Sequence, residues 1–388
     1  MPRSIDHEVI RYHEERLKRL RVVATTRTPS GQILDWVPIE SQDPNGTIAT
    51  PPPATRHRTK VASATGMLAT LETHSPGIEH GPEGTVPLRR RRVPATKKLH
   101  HTSHKRKVDG RRIRQQFESS PSGGFADPAG YYHGTMGQST TCYGCESVLA
   151  VWDPWCELSA DHSISQFGIQ NYDNPQLQSL EAGWIHCKDQ FGDDLLHCFT
   201  YYTTNGYSKD GNDLGGYDTD YTGWVQYDAN IYPGVVINAV DWIGIPSYEL
   251  EIKYQLYQGN WWFELQGTWI GYYPSSLFGS QAGKTLNDHA EWCGFWGEVY
   301  SALSDTSQTT TSMGSGQRAE VGFPFTAYQR NMQTQTNSTG SMADSLGTLS
   351  TDSSTLYDIQ FGAEPFSQWI FFGGSGIGNP HVIAYPFL

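Results

Sequence analysis

Hydrophobic and polar residues alternate along much of the chain after residue 130. The clearest alternation runs from Tyr248 to Trp269. A two-residue period is typical of a strand with one buried side, so this segment predicts a β-hairpin with its turn at Gln258-Gly259-Asn260. The apolar side of the hairpin would consist of Leu250, Ile252, Tyr254, Leu256, Trp261, Phe263 and Leu265.

A similar pattern of short alternating runs extends over the rest of this region and predicts an all-β domain. Short runs rich in Tyr, Trp, Thr, Gly and Val are separated by Gly/Ser-rich breaks, and no strong helical pattern is found. The apolar run from Val235 to Ile245 is long enough for a central strand. Two packed antiparallel sheets are the natural way to bury so many aromatic residues, so a β-sandwich is expected.

The region before residue 126 has a different pattern. The spacing from His7 to Leu20 predicts an amphipathic helix, Gln32 to Val37 a short strand, and Pro44 to Pro53 an extended segment. Arg56 to Arg114 has little hydrophobic periodicity and is expected to be flexible and open to proteases. We therefore divide the chain into a partly helical and partly disordered segment 1–60, a basic flexible linker 61–125 with processing sites, and a main domain 126–388.

Charge divides the chain in nearly the same place. Residues 1–114 contain 22 of the 28 Lys and Arg but 11 of the 40 Asp and Glu, a balance of +11, whereas the remainder carries −23. Two parts of opposite charge should attract each other along a broad surface at neutral pH.

Several partners and routes are excluded or not visible. The chain has no run of about 18 apolar residues, so no membrane partner is expected. Basic clusters between Arg89 and Arg112 would suit phosphate, but the acidic remainder would repel it, so no nucleic-acid partner is expected. Met1 to Val23 is charged and lacks an apolar signal region, so no export signal is recognised in this segment.

The six cysteines all lie between positions 142 and 293. An even number confined to the acidic part favours an oxidising compartment. Cys187 and Cys198 flank a Gly/Asp-rich turn and are predicted to form a local disulfide, with free buried thiols as the alternative. Cys142 and Cys145 form a single C-x-x-C without a second one, so a disulfide or a free pair is expected there rather than a zinc site. No metal or other cofactor is expected.

Two glutamates stand beside tryptophans in apolar, strand-like surroundings. Glu181 lies in Leu180–Trp184 and Glu298 in Phe295–Val299, while a serine-hydrolase elbow, a zinc-binding helix and a phosphate loop are absent from the sequence. Desolvation should raise the pKa of such carboxyl groups, and a neighbouring carboxylate should raise one of them further. A pair of this kind can activate water for hydrolysis. The alternative is a packed glutamate whose tip is solvated.

Six short segments resemble, in sequence order, the landmarks of the neprosin family. The N-terminal segment from Arg27 to Pro38 also resembles the start of the pro-segment in microbial members of that family. The landmarks are NPQLQSLEAGW at 174–184, YYTTNGY at 201–207, GNWW at 259–262, IGYYPSSLF at 270–278, WGEV at 296–299 and MGSG at 313–316.

The resemblance implies a fold and an activity. It implies a two-sheet antiparallel sandwich of the concanavalin A-like jelly-roll kind, and hydrolysis of peptide bonds, often after proline, by a glutamate pair at acid pH without a metal. The E-A-G-W glutamate is Glu181 and the W-G-E-V glutamate is Glu298, with Glu291 as the alternative under a shifted alignment. Which glutamate is the base stays open.

A substrate cleft can be proposed beside this pair. An aromatic side chain can stack on a flat proline ring at little entropic cost. Its predicted residues are Trp184, Trp296, Tyr272 and Tyr273, for each of which the sandwich core is the alternative location.

The resemblance and the charge division together imply a secreted zymogen. Segment 1–60 would inhibit its own catalytic domain, and protein substrates, mainly proline-rich ones, would be the other partners. Acid would weaken the attraction by protonating the carboxylates, while the histidines of the basic part gain charge and increase the repulsion within that part. Cleavage between Arg89 and Arg114 would then make release irreversible. Those histidines are His57, His74, His80, His100, His101 and His104. The alternative function is a secreted carbohydrate-binding or carbohydrate-cleaving sandwich.

Overall fold

The structure of the protein is a computed structural model. It describes residues 15–53, 66–90, 130–171, 177–207, 210–211, 213–238, 247–279 and 285–378.

Strands dominate the described part of the chain and are numbered in chain order. Before residue 91 they are β1 (Ala24–Arg27), β2 (Ile33–Pro38), β3 (Gly66–Leu68) and β4 (Thr85–Arg89). After residue 130 they are β5 (Tyr131–Cys142), β6 (Gly144–Ala150), β7 (His162–Asn171), β8 (Gln178–His186), β9 (Leu196–Thr203), β10 (Gly215–Tyr217), β11 (Val225–Gln226), β12 (Ser247–Tyr257), β13 (Asn260–Leu265), β14 (Thr268–Pro274), β15 (Ala290–Tyr300), β16 (Ala327–Gln335), β17 (Ala343–Asp344), β18 (Thr348–Thr351), β19 (Asp358–Phe361) and β20 (Ile370–Gly373).

The helical segments are short. Residues 15–19 are helical, and the remainder of the helix predicted from His7 lies outside the described residues. The other segments are the α-helix Lys188–Phe191 and the 3₁₀-helices Ile39–Gln42, Glu72–His74, Ser275–Phe278, Thr306–Gln308 and Ala319–Val321.

Two large sheets form a sandwich. One has seven strands in the order β10-β9-β8-β7-β15-β5-β18, and the other follows the order β11-β14-β13-β12-β6-β16-β20-β19, with β17 added on β16 and β3 on β12. All pairings within the two sheets are antiparallel except that of β3 with β12. The predicted two-sheet antiparallel β-sandwich is confirmed.

One apolar core lies between the sheets. Phe167, Ala182 and Phe295 of the seven-stranded sheet share it with Leu250 and Tyr254 of the other sheet. The hairpin predicted between Tyr248 and Trp269 is confirmed, because β12 and β13 pair across a turn at residues 258–259 and place their apolar side in this core. Burial of these side chains is the main stabilising contribution to the sandwich.

The N-terminal region packs against the sandwich through a small antiparallel sheet, β1-β2-β4. Leu34 and Trp36 of β2 join the main core, and the Arg89 guanidinium of β4 lies 2.9 Å from Asp220 Oδ1 and 3.4 Å from Asp218 Oδ2. All three of these charged side chains are at most 2% exposed. The N-terminal region is therefore built into the same folded body.

Two segments differ from the pattern that the sequence predicts. Residues 66–90 fall within the predicted flexible linker 61–125, yet they contain β3 and the buried strand β4. Their short apolar runs are interrupted by Gly and Pro, and it is pairing with β12 and β2 that orders them. The predicted central strand from Val235 is not found in the described residues, where Val236 and Ile237 form only isolated bridges.

The predicted Cys187–Cys198 disulfide is also corrected. Both thiols are free and buried. Cys198 lies in the core between the sheets, whereas Cys187 packs in a second apolar cluster on the outer face of the seven-stranded sheet. The two strands are adjacent, as predicted, but the side chains point to opposite faces.

Helices in the described part of the chain are too short or too polar to cross a membrane.

Candidate active site

Glu181 and Glu298 lie on the same face of the seven-stranded sheet. Glu181 on β8 is in register with Gly168 of β7, and Glu298 on β15 is in register with Ile164 of β7. Since Gly168 and Ile164 are four residues apart on one strand, both glutamates point to one side. That side is the outer face, because Ile164 belongs to the outer cluster with Ile185 rather than to the core between the sheets.

Both carboxyl groups are withdrawn from water. Glu181 and Glu298 are each 5% exposed, and Gln166, between them on β7, is 1% exposed. Buried charges are stabilised only when paired or hydrogen-bonded, so the partners of each glutamate decide its protonation.

Glu181 accepts hydrogen bonds at a single oxygen. Ser179 Oγ donates to Glu181 Oε1 at 2.7 Å, and the hydroxyl of Tyr207 donates to the same oxygen. Burial raises the pKa of Glu181 to about 7, and the charge of Glu298 adds to this rise. The two hydrogen bonds lower the pKa but do not cancel the effect of burial. Below that pH Glu181 is a neutral acid. We assign its proton to Oε2, because Oε1 already accepts two hydrogen bonds.

Glu298 is held by four nitrogen donors. His162 Nε2 lies 2.8 Å from Oε1, and Oε2 is approached by Gln166 Nε2 at 2.9 Å, Trp296 Nε1 at 3.2 Å and His133 Nε2 at 3.3 Å. The donors come from β5, β7 and β15, so three neighbouring strands converge on one carboxyl group.

These donors reverse the effect of burial on Glu298. Burial alone would raise the pKa of Glu298, but the hydrogen bonds and charges of His133 and His162 outweigh it and hold the pKa well below the ordinary value. The two glutamates therefore differ in protonation over a wide range of acid pH, with Glu298 ionised and Glu181 neutral.

The Trp296 indole spans the space between the two glutamates. Its nitrogen donates to Glu298, while the far edge of its ring lies over Gly168 beside the side chain of Glu181. A Cβ at Gly168 would lie 2.6 Å from Trp296 Cη2 and 3.1 Å from Glu181 Cγ. Only glycine leaves room at this position for both side chains.

The other predicted cleft residues lie elsewhere. Trp184 is in the core between the sheets, where its Nε1 donates to the Ala150 carbonyl at 2.8 Å. Tyr272 and Tyr273 belong to β14 in the opposite sheet, and Tyr273 is completely buried. Of the four predicted aromatic residues, the structure thus brings only Trp296 to the glutamates.

Glu291, the alternative to Glu298, lies at the irregular start of β15, seven residues from Glu298. At about 3.3 Å per residue, that separation places it about 23 Å away along the strand.

Several residues of the site are missing from the candidates that the sequence suggests. They are His133, His162, Gln166, Ser179 and Tyr207, together with Asp352, whose Oδ2 lies 2.7 Å from His133 Nδ1. The alternation of His162, Ile164 and Gln166 along β7, and the position of Tyr207 at the end of the YYTTNGY landmark, are the two signals that could have found some of them. Asp352 gives no such signal.

Residues 159–375, more than half of the chain, match the family described as neprosin. The chain belongs to the neprosin family. The matched region contains both Glu181 and Glu298, and the resemblance seen in the six landmarks is confirmed.

Among solved structures, the chain is similar to the crystal structure of scytalido-glutamic peptidase with a peptide based transition state analog. The sequence identity is 9% and the TM-score 0.34, over 63% of this chain and 98% of that chain. Within the described residues, no group of three or more His, Cys, Asp or Glu side chains is arranged to hold a metal ion.

Proposed function

We propose that the protein is a glutamic endopeptidase that hydrolyses peptide bonds with water activated by Glu298 and Glu181. Membership of the neprosin family supports peptidase activity. The observation that carries the proposal is the pair of buried carboxyl groups on one face, one held ionised and the other neutral.

Glu298 is the general base in this proposal. An ionised carboxylate can take a proton from the attacking water, and Glu298 is the member of the pair that remains ionised in acid. Gln166 must direct its amide N–H to Glu298, because a carboxylate only accepts, so the other end of its amide is the oxygen. That oxygen is buried and has no hydrogen-bond partner among the described residues, and it would accept a hydrogen bond from the water.

Glu181 is the general acid. Its Oε2 carries the proton below pH 7 and would donate to the carbonyl oxygen, and then to the leaving nitrogen, of the scissile peptide. Tyr207 and Ser179 hold the other oxygen in place. Since the pKa of Glu181 is about 7, the working form is lost as the pH rises through 7. Activity should therefore be confined to acid and neutral pH.

A preference for cleavage after proline belongs to the same proposal. Trp292 and Trp296 lie on the face of the glutamates with ring centroids 6.0 Å apart. These two rings would form an apolar, aromatic surface suited to a rigid pyrrolidine ring.

We also propose that the protein is a secreted zymogen inhibited by its N-terminal region. The complementary charges of the two parts and the buried Arg89 contacts support an intramolecular partner. In the described residues, however, these contacts are made with Asp218 and Asp220 rather than with either glutamate. If acid releases the N-terminal region and the chain is then cleaved between Arg89 and Arg114, incubation at pH 3 to 4 should yield a shorter chain.

The test is hydrolysis of quenched peptides with and without proline from pH 2 to 8 by acid-treated protein. Glu181→Gln and Glu298→Gln are the catalytic variants, and Glu291→Gln is the matched control on the same strand as Glu298. We expect both catalytic variants to lose at least about 100-fold in kcat/KM, which corresponds to about 2.7 kcal/mol of transition-state stabilisation. Glu291→Gln should remain active.

Three other outcomes would each contradict a different part of the proposal. A loss in Glu291→Gln with full activity in Glu298→Gln would transfer the role to Glu291. No hydrolysis of any peptide by folded, processed protein would refute the peptidase, and binding or cleavage on a glycan array run in parallel would then favour the carbohydrate function. Equal rates on peptides with and without proline would remove only the proline preference.

A further inference from the structure

The partners of Glu298 extend beyond the residues that face it directly. His133 Nε2 lies 3.3 Å from Glu298 Oε2, and His133 Nδ1 lies 2.7 Å from Asp352 Oδ2. The backbone N–H of His133 also donates to that Asp352 oxygen at 2.7 Å. Asp352 follows β18, which pairs with β5. A chain of contacts thus connects Asp352, His133 and Glu298.

The protonation of the His133 ring follows from its neighbours. Both of its nitrogens approach carboxylates, and a carboxylate offers only acceptors. Each nitrogen must therefore carry a proton for both contacts to be hydrogen bonds, which makes the ring an imidazolium between two anions. The 2.7 Å distance between His133 Nδ1 and Asp352 Oδ2 agrees with a charge-assisted hydrogen bond.

His162 supplies a second N–H to the other oxygen of Glu298. Its Nε2 lies 2.8 Å from Oε1, and its ring centroid lies 5.9 Å from that of Tyr131 and 5.5 Å from that of Tyr300. The two histidines approach Glu298 from β5 and β7, the strands on either side of β15.

We infer that His133 and His162 are positioning residues that hold Glu298 as a carboxylate of fixed orientation, with Asp352 orienting His133. The inference rests on the proposed function, because it assigns these residues to the base of the glutamate pair. They act through Glu298 and need not touch the substrate.

Other ionisable groups face this cluster and must be considered. Asp161 next to His162, Glu181 across β7 and Asp352 are the acidic ones; Tyr131, Tyr217 and Tyr300 are the phenols. Glu181 is neutral in acid, and burial together with nearby anions, Glu298 among them, raises the pKa of Tyr217 well above its ordinary value. The charge that stabilises ionised Glu298 in acid therefore comes from the two histidines.

The consequence is an acid limit of activity far below the ordinary pKa of a glutamate. The histidines hold the pKa of Glu298 well below its ordinary value, so Glu298 stays ionised at a pH where burial alone would protonate it. Without either ring, Glu298 should protonate at higher pH, and the acid limb of the pH–rate profile should move upward.

The experiment compares pH–rate profiles of the acid-treated wild type with those of His133→Gln, His162→Gln and Asp352→Asn. The control is His74→Gln, which changes an exposed histidine of a 3₁₀-helix. We expect His133→Gln and His162→Gln to move the acid limb up by at least about one pH unit, a tenfold relative loss at the lower pH, while Asp352→Asn moves it less in the same direction. An acid limb that stays in place in both histidine variants would overturn the inference, even if their rates fall at every pH.

A second measurement does not depend on activity. Long-range ¹H–¹⁵N spectra of the histidine rings in full-length protein at pH 7.5 should show the His133 ring, identified by its loss in His133→Gln, with both nitrogens protonated. Asp352→Asn should convert this ring to the neutral form. A neutral His133 ring in the wild type would overturn the inference. If the wild type hydrolyses no peptide, the proposed function fails, but the spectrum still decides the state of the cluster.

Discussion

Replacing Arg89 with methionine tests how firmly the N-terminal region is built into the sandwich. The Arg89 guanidinium contacts both Asp218 and Asp220, with all three side chains at most 2% exposed. Removing one partner of a buried ion pair costs about 3–5 kcal/mol, because the other partner keeps its desolvation penalty without compensation. Arg89→Met keeps an apolar chain of similar length against Phe191, over whose ring the guanidinium lies. The expected loss at pH 8 is therefore about 3–5 kcal/mol of unfolding free energy.

The pH dependence of this loss has a definite sign. Burial raises the pKa of Asp218 to about 7, with the charge of Asp220 adding to the rise and Arg89 lowering it. A carboxyl group whose pKa is raised by folding stabilises the folded protein more as the pH falls. Without Arg89 that pKa should be higher still, so acid should stabilise the variant more than the wild type. The penalty of Arg89→Met should thus be smaller at pH 5 than at pH 8.

The assay is urea unfolding of the full-length chain at pH 5 and pH 8, followed by tryptophan fluorescence, with the free energy taken from midpoint and slope. Arg21→Met is the matched control, because Arg21 pairs with Glu40 at the surface, where the two side chains are 63% and 53% exposed. Such a pair contributes about 0–1 kcal/mol. The triple variant Arg89→Met/Asp218→Asn/Asp220→Asn should recover part of the loss. A penalty no larger than that of Arg21→Met at pH 8, or one that grows in acid, would refute the reasoning.

Two further predictions concern the faces of the seven-stranded sheet. Trp296→Phe should lower kcat/KM by about 10- to 100-fold, because it removes a hydrogen bond worth about 1.5–3 kcal/mol to the ionised Glu298. Trp184→Phe should instead keep kcat/KM and lose about 1–3 kcal/mol of unfolding free energy, because it leaves the Ala150 carbonyl unpaired. The reverse pattern would contradict the assignment of faces. Peptide mapping by mass spectrometry without reduction should find no Cys187–Cys198 cross-link, because the two thiols lie on opposite faces; its detection would contradict the structure there.

The sequence and the structure agree where burial is one-sided. In β12, apolar and charged residues alternate because one face contacts the core and the other does not, so the hairpin and its orientation could be predicted. In β7 every residue is buried, as is nearly every residue of β8. A strand that is covered on both faces shows no alternation of apolar and polar residues, so its sequence does not reveal which face each side chain takes. That is why the sequence alone led to the wrong prediction that Trp184 lies beside Glu181. Residues three positions apart on a strand point to opposite faces.

The sequence by itself determined the class of fold and the separation of charge and supplied the two candidate glutamates, because local alternation, composition and short motifs are properties of neighbouring residues. Only the tertiary structure decided that Glu298 is the ionised member of the pair. Its donors His133 and His162 lie more than 130 positions away along the chain, and Asp352 lies 219 positions from His133. The protonation of a buried carboxyl group depends on the donors that folding brings to it, and strand pairing, not sequence proximity, brings these together.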